Sequence, residues 1–300
     1  MTSAPEMEYD TDGIPRGQAV LNGLVALLDL EKIEENIFRG HSPRGGTRAR
    51  VFGGQVASQA LVAAGRTVPA DRRVHSLHAY FMRAGDTASP ILYEVERTRD
   101  GRSFSTRRVV AIQHGQPIFA MSASFQVDEG GLDHAAQAPA VPAPLTLPTL
   151  AQRVAEAEGM GPWGKVPRPF DLRYVTEPPW SAASRDARPG GHSQMWFRAD
   201  GDLPADSLLH VCLLAYLSDL TLLDAILVNH GIAPKDERLQ MASLDHAMWF
   251  HRPVTVDQWL LYDINSPSAS GSRGMGAGHF FDESGNLLAT VMQEGLVRLR

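Results

Sequence analysis

The stretch LLAYLSDLTLLD, residues 213–224, carries a carboxylate, Asp219, in the middle of an apolar run. On a helix its neighbours three, four and seven positions away are Tyr216, Leu222, Ala215, Leu223, Cys212 and Ile226, all apolar or aromatic. Such positions share one face, so Asp219 is expected to point with the apolar stripe. A carboxylate there has two uses. It can cap a loop or backbone N–H as a structural group, or it can take a proton from water as a general base. Burial disfavours the ionised form unless it is hydrogen-bonded, which makes such a residue a functional candidate.

Other residue patterns offer less chemistry. GGHSQM (190–195) resembles a nucleophile elbow but has Met195 where the last glycine belongs, and it follows ARPGG rather than a buried strand. GMGAG (274–278) lacks the spacing of a dinucleotide loop and reads as a glycine-rich bend in a curved strand. The histidine pairs of HSLH (75–78) and HAMWFH (246–251) have no partners at metal-ligand spacing, so neither a metal nor a cofactor is expected. Cys212 sits in the helical run and reads as a small core residue. No Ser–His or Cys–His nucleophile is visible, which points an enzyme reading toward activated water.

The elements that must position these residues occur twice. SLHAYF (76–81) is matched by SLDHAMWF (243–250), ILYEV (91–95) by LLYDI (260–264), STR (105–107) by GSR (271–273) and HGQPIFA (114–120) by SGNLLA (284–289). Ser76 to Ser243 is a step of 167, while Tyr93 to Tyr262 and Ala120 to Ala289 are steps of 169. Ordered matches at a nearly constant offset imply a duplicated unit. Each SL segment follows a predicted helix, 53–68 in the first half and 207–231 in the second, and precedes strand-like runs broken by glycine turns. Composition and periodicity thus support a duplicated α+β fold. The expected organisation is a flexible segment over 1–20, a first unit over 21–130, a Pro/Ala-rich linker over 131–160 and a second unit over 161–300.

Bulk composition narrows the partners. The 300 residues are 43% hydrophobic and 21% charged, ordinary for a globular protein. A net charge of -6 gives no electrostatic reason to expect nucleic acid or an anionic membrane. The single cysteine fits a reducing compartment, the acidic N-terminal residues do not read as a signal peptide, and no run is long enough for a membrane span. LVRLR at the C-terminus is not an SKL-type address, so a cytoplasmic location is expected.

VFGGQVASQAL, VHSLHAYFMRAGD, RDGRSFSTRRV, IFAMSASFQ, YLSD, SLDHAMWFHRP and QEG together resemble the acyl-CoA thioesterase II (TesB-type) family, from about Leu27 to Val297. The resemblance implies a double hotdog fold, two tandem units each with a long helix wrapped by an antiparallel sheet. It implies hydrolysis of acyl-CoA, with acyl-CoA as the binding partner. The family's water-holding set maps onto Asp219, Ser243 and Gln293. Ser124 stands where Gln293 would fall in the first half, implying one competent site per chain. Ala84 departs from the family, which often has proline before that Gly-Asp, and the change is confined to a turn.

On this reading Asp219 is the general base, Ser243 and Gln293 fix the water, and the helix start FGGQ offers Gly53, Gly54 and Gln55 toward the thioester carbonyl. A plain glycine-rich helix start is the alternative for FGGQ. His75 and His78 are candidates for lining the substrate, Arg107, Arg108 and Arg273 for meeting CoA phosphates, and Met82, Phe104, Met248, Trp249 and Phe250 for the acyl tunnel. Two other readings stay open: a hotdog hydratase or dehydratase acting on enoyl- or hydroxyacyl-CoA, and a non-catalytic acyl-CoA binding protein. Association of double-hotdog protomers into a homo-oligomer is also left open.

Overall fold

The computed structural model describes residues 5–43, 50–156, 166–181, 186 and 190–300. The boundary expected at 160/161 lies outside the described residues.

The chain begins with a short ribbon, β1 (Glu8–Tyr9) and β2 (Pro15–Arg16), followed by α1 (Gln18–Leu28). The first unit then runs β3 (Glu31–Glu34), β4 (Ile37–Gly40), α2 (Gly53–Gly65), β5 (Arg72–Phe81), β6 (Ile91–Asp100), β7 (Phe104–Gln113) and β8 (Gln116–Val127). A 3-10 turn (Pro144–Thr146) and α3 (Leu150–Glu156) follow. The second unit comprises β9 (Phe170–Tyr174), β10 (Ser193–Ala199), α4 (Ser207–Ser218), α5 (Asp224–His230), β11 (Leu239–Ser243), β12 (Asp245–Phe250), β13 (Leu260–Ser270), β14 (Arg273–Asp282) and β15 (Leu287–Leu299).

The strands form because their side chains alternate between core and solvent. In β7, Ser105, Arg107, Val109, Ala111 and Gln113 are buried and the residues between them are not. The sheet path is β3-β4-β6-β7-β8-β5-β12-β15-β14-β13-β10-β9, with β11 added against β15. Read outward from its middle, each half lists matching strands in the same order. β5 and β12 join the halves as an antiparallel pair, with Met248 opposite Leu77. The helices α2 and α4 lie together under this sheet, and the Ser58 hydroxyl donates to the Cys212 carbonyl at 2.8 Å between them. This is the double hotdog that the motifs imply.

The N-terminal segment, expected to be flexible, is tied to the second unit by ion pairs from Asp10 onward. Arg168, almost fully buried, pairs with Asp10 at 3.0 Å and Asp12 at 2.6 Å, while Arg16 pairs with Asp200 at 2.7 Å. Partners so far apart in sequence leave no local signal. The linker is also packed: Trp196 Nε1 donates to the Pro142 carbonyl, and Val141 and Leu147 cover a small apolar cluster around Trp259 and Phe281.

The predicted helix 207–231 is two helices. α4 stops at Ser218, Asp219 caps it, and a turn over 219–223 leads into α5, which Gly231 closes at a φ of 62°. Side chains and short turns take over the groups that a continuous helix would pair. Tyr262 Oη donates to the Ser218 carbonyl at 3.0 Å, and Leu220 N and Asp224 N bond to carbonyls only three residues back. Neither glycine nor proline marks the break, and most of the run is apolar because α4 packs on α2 and α5 packs on β13 and β14.

GMGAG acts by closeness of packing. Gly274, Gly276 and Gly278 all face inward on β14. A Cβ on Gly276 would stand 2.5 Å from the Leu222 carbonyl oxygen in the turn that carries Asp219. Gly276→Ala is therefore predicted to cost about 1–3 kcal/mol of unfolding free energy by overpacking. Urea denaturation checks this, and a variant as stable as the parent would show that the turn does not press on β14.

Candidate active site

Asp219 holds the centre of the site by its position at the end of α4. Gln293 Nε2 donates to Asp219 Oδ1 at 2.7 Å, and the Ser243 hydroxyl donates to the same oxygen at 3.4 Å. Gln293 comes from the buried face of β15, shared with Ala289 and Val291, and is itself 1% exposed. Ser243 ends β11 and sits opposite Gly295 on β15, two residues from Gln293. Between β11 and β12 the chain is stitched to β15: Leu244 N bonds to the Glu294 carbonyl, and Glu294 N bonds to Asp245 Oδ1 at 2.6 Å.

The other carboxylate oxygen faces the first unit. A Cβ on Gly53 would stand 2.7 Å from Asp219 Oδ2, so only a glycine fits there without displacement. A Cβ on Gly54 would stand 2.5 Å from the Tyr216 carbonyl oxygen. The two glycines let the start of α2 meet the end of α4. Within α2 the Gln55 and Val56 amides bond to the Phe52 carbonyl, and the amides of Gly53 and Gly54 have no acceptor inside the helix. The positive end of the α2 dipole thus offsets the unfavourable position of a carboxylate at the C-terminus of α4.

Asp219, Ser243 and Gly53 line a cavity of about 680 Å³. Its walls are largely apolar, including Phe52, Phe81, Phe119, Leu220, Leu223 and Met241. Arg50 and Arg83 are its exposed cations. The size suits a small-molecule ligand.

The remaining sequence candidates are dispersed. Gln55 is buried and bonds to the His41 carbonyl and the Ser42 hydroxyl. His75 faces the Ser124 hydroxyl at 2.8 Å, and His78 is exposed with its ring edge-on to Trp249. Arg107 is buried, bonding to Thr67, Asp100 and the Arg99 carbonyl. Arg108 faces Glu96, and Arg273 donates to Glu294 at 2.9 Å. Of the acyl-tunnel candidates Met82 lines the cavity, while Met248 is in the core and Phe104 packs on His75. Arg107 and Arg273 suit CoA phosphates by residue type, which does not reveal that Asp100 and Glu294 already hold them.

A buried Ser–His pair, missed in the sequence, lies behind Asp219. Ser218 Oγ and His246 Nε2 are 2.9 Å apart, and burial pushes the ring pKa down to about 4, so the imidazole is neutral. Ser218 is fully buried and His246 nearly so, which denies both the substrate contact that a nucleophile and its base need. Cys212 is equally inaccessible, and burial pushes its thiol well up.

The sequence model described as acyl-CoA thioesterase matches residues 172–296, and the one described as acyl-CoA thioesterase N-terminal domain matches residues 41–126. Acyl-CoA thioesterase 2 of Haemophilus influenzae is 39% identical over 93% of this chain and 98% of its own length. Human acyl-coenzyme A thioesterase 8 is 39% identical over 99% of this chain and 97% of its own length. The crystal structure of an acyl-CoA thioesterase II, TesB2, from Mycobacterium marinum superimposes with a TM-score of 0.77 at 45% identity, covering 93% of this chain and 98% of that one. Fold and relatives together define a thioester hydrolase built on a double hotdog. The chain belongs to the acyl-CoA thioesterase family.

A second carboxylate, Asp224, also lines the cavity, and burial pushes its pKa up to about 7. Because the folded state holds this proton more tightly, Asp224's own contribution to folding stability is fully present below the ordinary carboxyl range and is lost as pH rises through about 7. Asp224→Asn is predicted to remove that decline and to gain on the order of 1–3 kcal/mol over the parent at pH 8. Denaturation at pH 5 and pH 8 measures it, and equal pH dependence in the two proteins would contradict it.

Proposed function

We propose that this protein hydrolyses acyl-CoA to the free carboxylic acid and CoA by direct attack of a water activated at Asp219. The observation that carries the reading is the convergence of Gln293 Nε2 and Ser243 Oγ on one oxygen of Asp219, beside Gly53, at the wall of a largely apolar cavity.

On this reading Asp219 Oδ2, the oxygen on the Gly53 side, is the basic oxygen. A water beside it gives up a proton to the carboxylate while its oxygen attacks the thioester carbon. Ser243, on the cavity wall, offers that water a further hydrogen bond. Gln293 holds the carboxylate in place from the buried side. The amides at the start of α2 stabilise negative charge on the carbonyl oxygen. The new C–O bond then forms the acid as the C–S bond breaks, and the proton held by Asp219 passes to the departing thiolate. A thiol is a better leaving group than an alcohol, so the reaction does not require a separate acid of high strength. The apolar wall suits the acyl chain, and Arg50 and Arg83 are cations within reach of an anionic CoA.

Release of free thiol from acyl-CoAs of graded chain length tests this. Asp219→Asn keeps the shape and removes the base, and kcat is predicted to fall about 10²- to 10⁴-fold. Absence of release at every chain length would contradict the activity, and undiminished release by Asp219→Asn would contradict the site.

A further inference from the structure

Two polar atoms on the buried side of the site have no ordinary hydrogen-bond partner: Gln293 Oε1 and His246 Nδ1. Both side chains are 1% exposed, and an amide oxygen or ring nitrogen left unpaired at that depth is costly. Their positions relate them. β12 pairs with β15 as Met248 opposite Val291 and Ala247 opposite Met292, with His246 and Gln293 each the next residue along its strand and their side chains in contact. Along β12 the buried face carries His246, Met248 and Phe250, and along β15 it carries Gln293, Val291 and Ala289. Cross-strand neighbours on one face touch.

We propose that His246 is a positioning residue for Gln293: its Nδ1–H holds the amide oxygen, so that the amide nitrogen is presented to Asp219. This rests on the reading that Gln293 serves the Asp219 site.

Each atom in the chain of contacts then has a defined role. Asp219 only accepts, so the amide group that faces it at 2.7 Å is the nitrogen. The amide oxygen therefore points the other way and needs a donor. The His246 ring is neutral, with its pKa down to about 4 by burial, while its contact with Gln293 favours the protonated ring. A neutral ring has one N–H. With that N–H on Nδ1, Nε2 accepts from the Ser218 hydroxyl at 2.9 Å, whose single proton then turns to the ring and away from the Ala215 carbonyl, also at 2.9 Å. Ser218 directly precedes Asp219, so the path runs from the end of α4 through His246 and Gln293 and back to the carboxylate.

Two substitutions separate this role from simple core filling. The amide of His246→Asn reaches the place of Nδ1 and supplies the donor to Gln293. The longer His246→Gln reaches the place of Nε2 and leaves Gln293 Oε1 without one. Expected are kcat within about threefold of the parent for His246→Asn, and kcat lower by about tenfold with unchanged KM for His246→Gln, which corresponds to one hydrogen bond. Thermal melting of both variants registers core disruption. In a Gln293→Ala background, His246→Gln is expected to have no further effect. Equal losses in the Asn and Gln variants, or a loss that persists in the Gln293→Ala background, would overturn the proposal. Full activity of Gln293→Ala alone would overturn the catalytic reading of Gln293, and the proposal with it.

Discussion

The close approach of α2 to the end of α4 sets the geometry of everything else in the site. Gly53 opens one helix against the carboxylate of Asp219, which closes the other, with no room for a β-carbon between them. A carboxylate at a helix C-terminus is electrostatically misplaced, and the N-terminus of a helix from the other unit corrects it. Two further donors, Gln293 and Ser243, bond to one oxygen, and the other lies against Gly53. The two units therefore make one site between them.

That approach depends on the sheet. The β5–β12 pair joins the halves edge to edge and places the two helices side by side beneath a continuous surface. The halves match in strand order but differ in chemistry. Where Asp219 caps α4, Arg66 caps α2, bonding to the Leu30 carbonyl and Asp29. Where Gln293 faces a carboxylate, Ser124 faces His75. The first half thus contributes its helix start and a cavity wall, while the carboxylate and its donors come from the second.

Much of this was legible in the residues. The ordered repeat at an offset near 169 foreshadows the duplicated strand order, and the motifs of both halves point to the double hotdog. Asp219 stood out because a charge on an apolar stripe is expensive. Its position was harder to foresee. The sequence reads as one helix through Asp219, and the break after Ser218 is made by Tyr262, a residue on a distant strand. GMGAG signalled a bend, and the need for glycine there comes from the Leu222 carbonyl, which helical spacing does not place. Arginines Arg107 and Arg273 were plausible phosphate ligands by type, but their partners Asp100 and Glu294 decide their use. His246, set among strand residues, became chemically interesting only once Ser218 and Gln293 were seen beside it.

The central claim is that Asp219 activates a water and does not itself attack the acyl group. A single turnover in water enriched in heavy oxygen, with enzyme in excess over acyl-CoA, tests this, because water that opens an acyl-aspartyl anhydride at the aspartyl carbon leaves its oxygen in the protein. The account predicts that the released acid carries one heavy oxygen and that the peptide containing Asp219 carries none. Heavy oxygen in that peptide, or an acid whose new oxygen is light, would mean that a carboxylate oxygen of the protein had entered the product and would contradict the account.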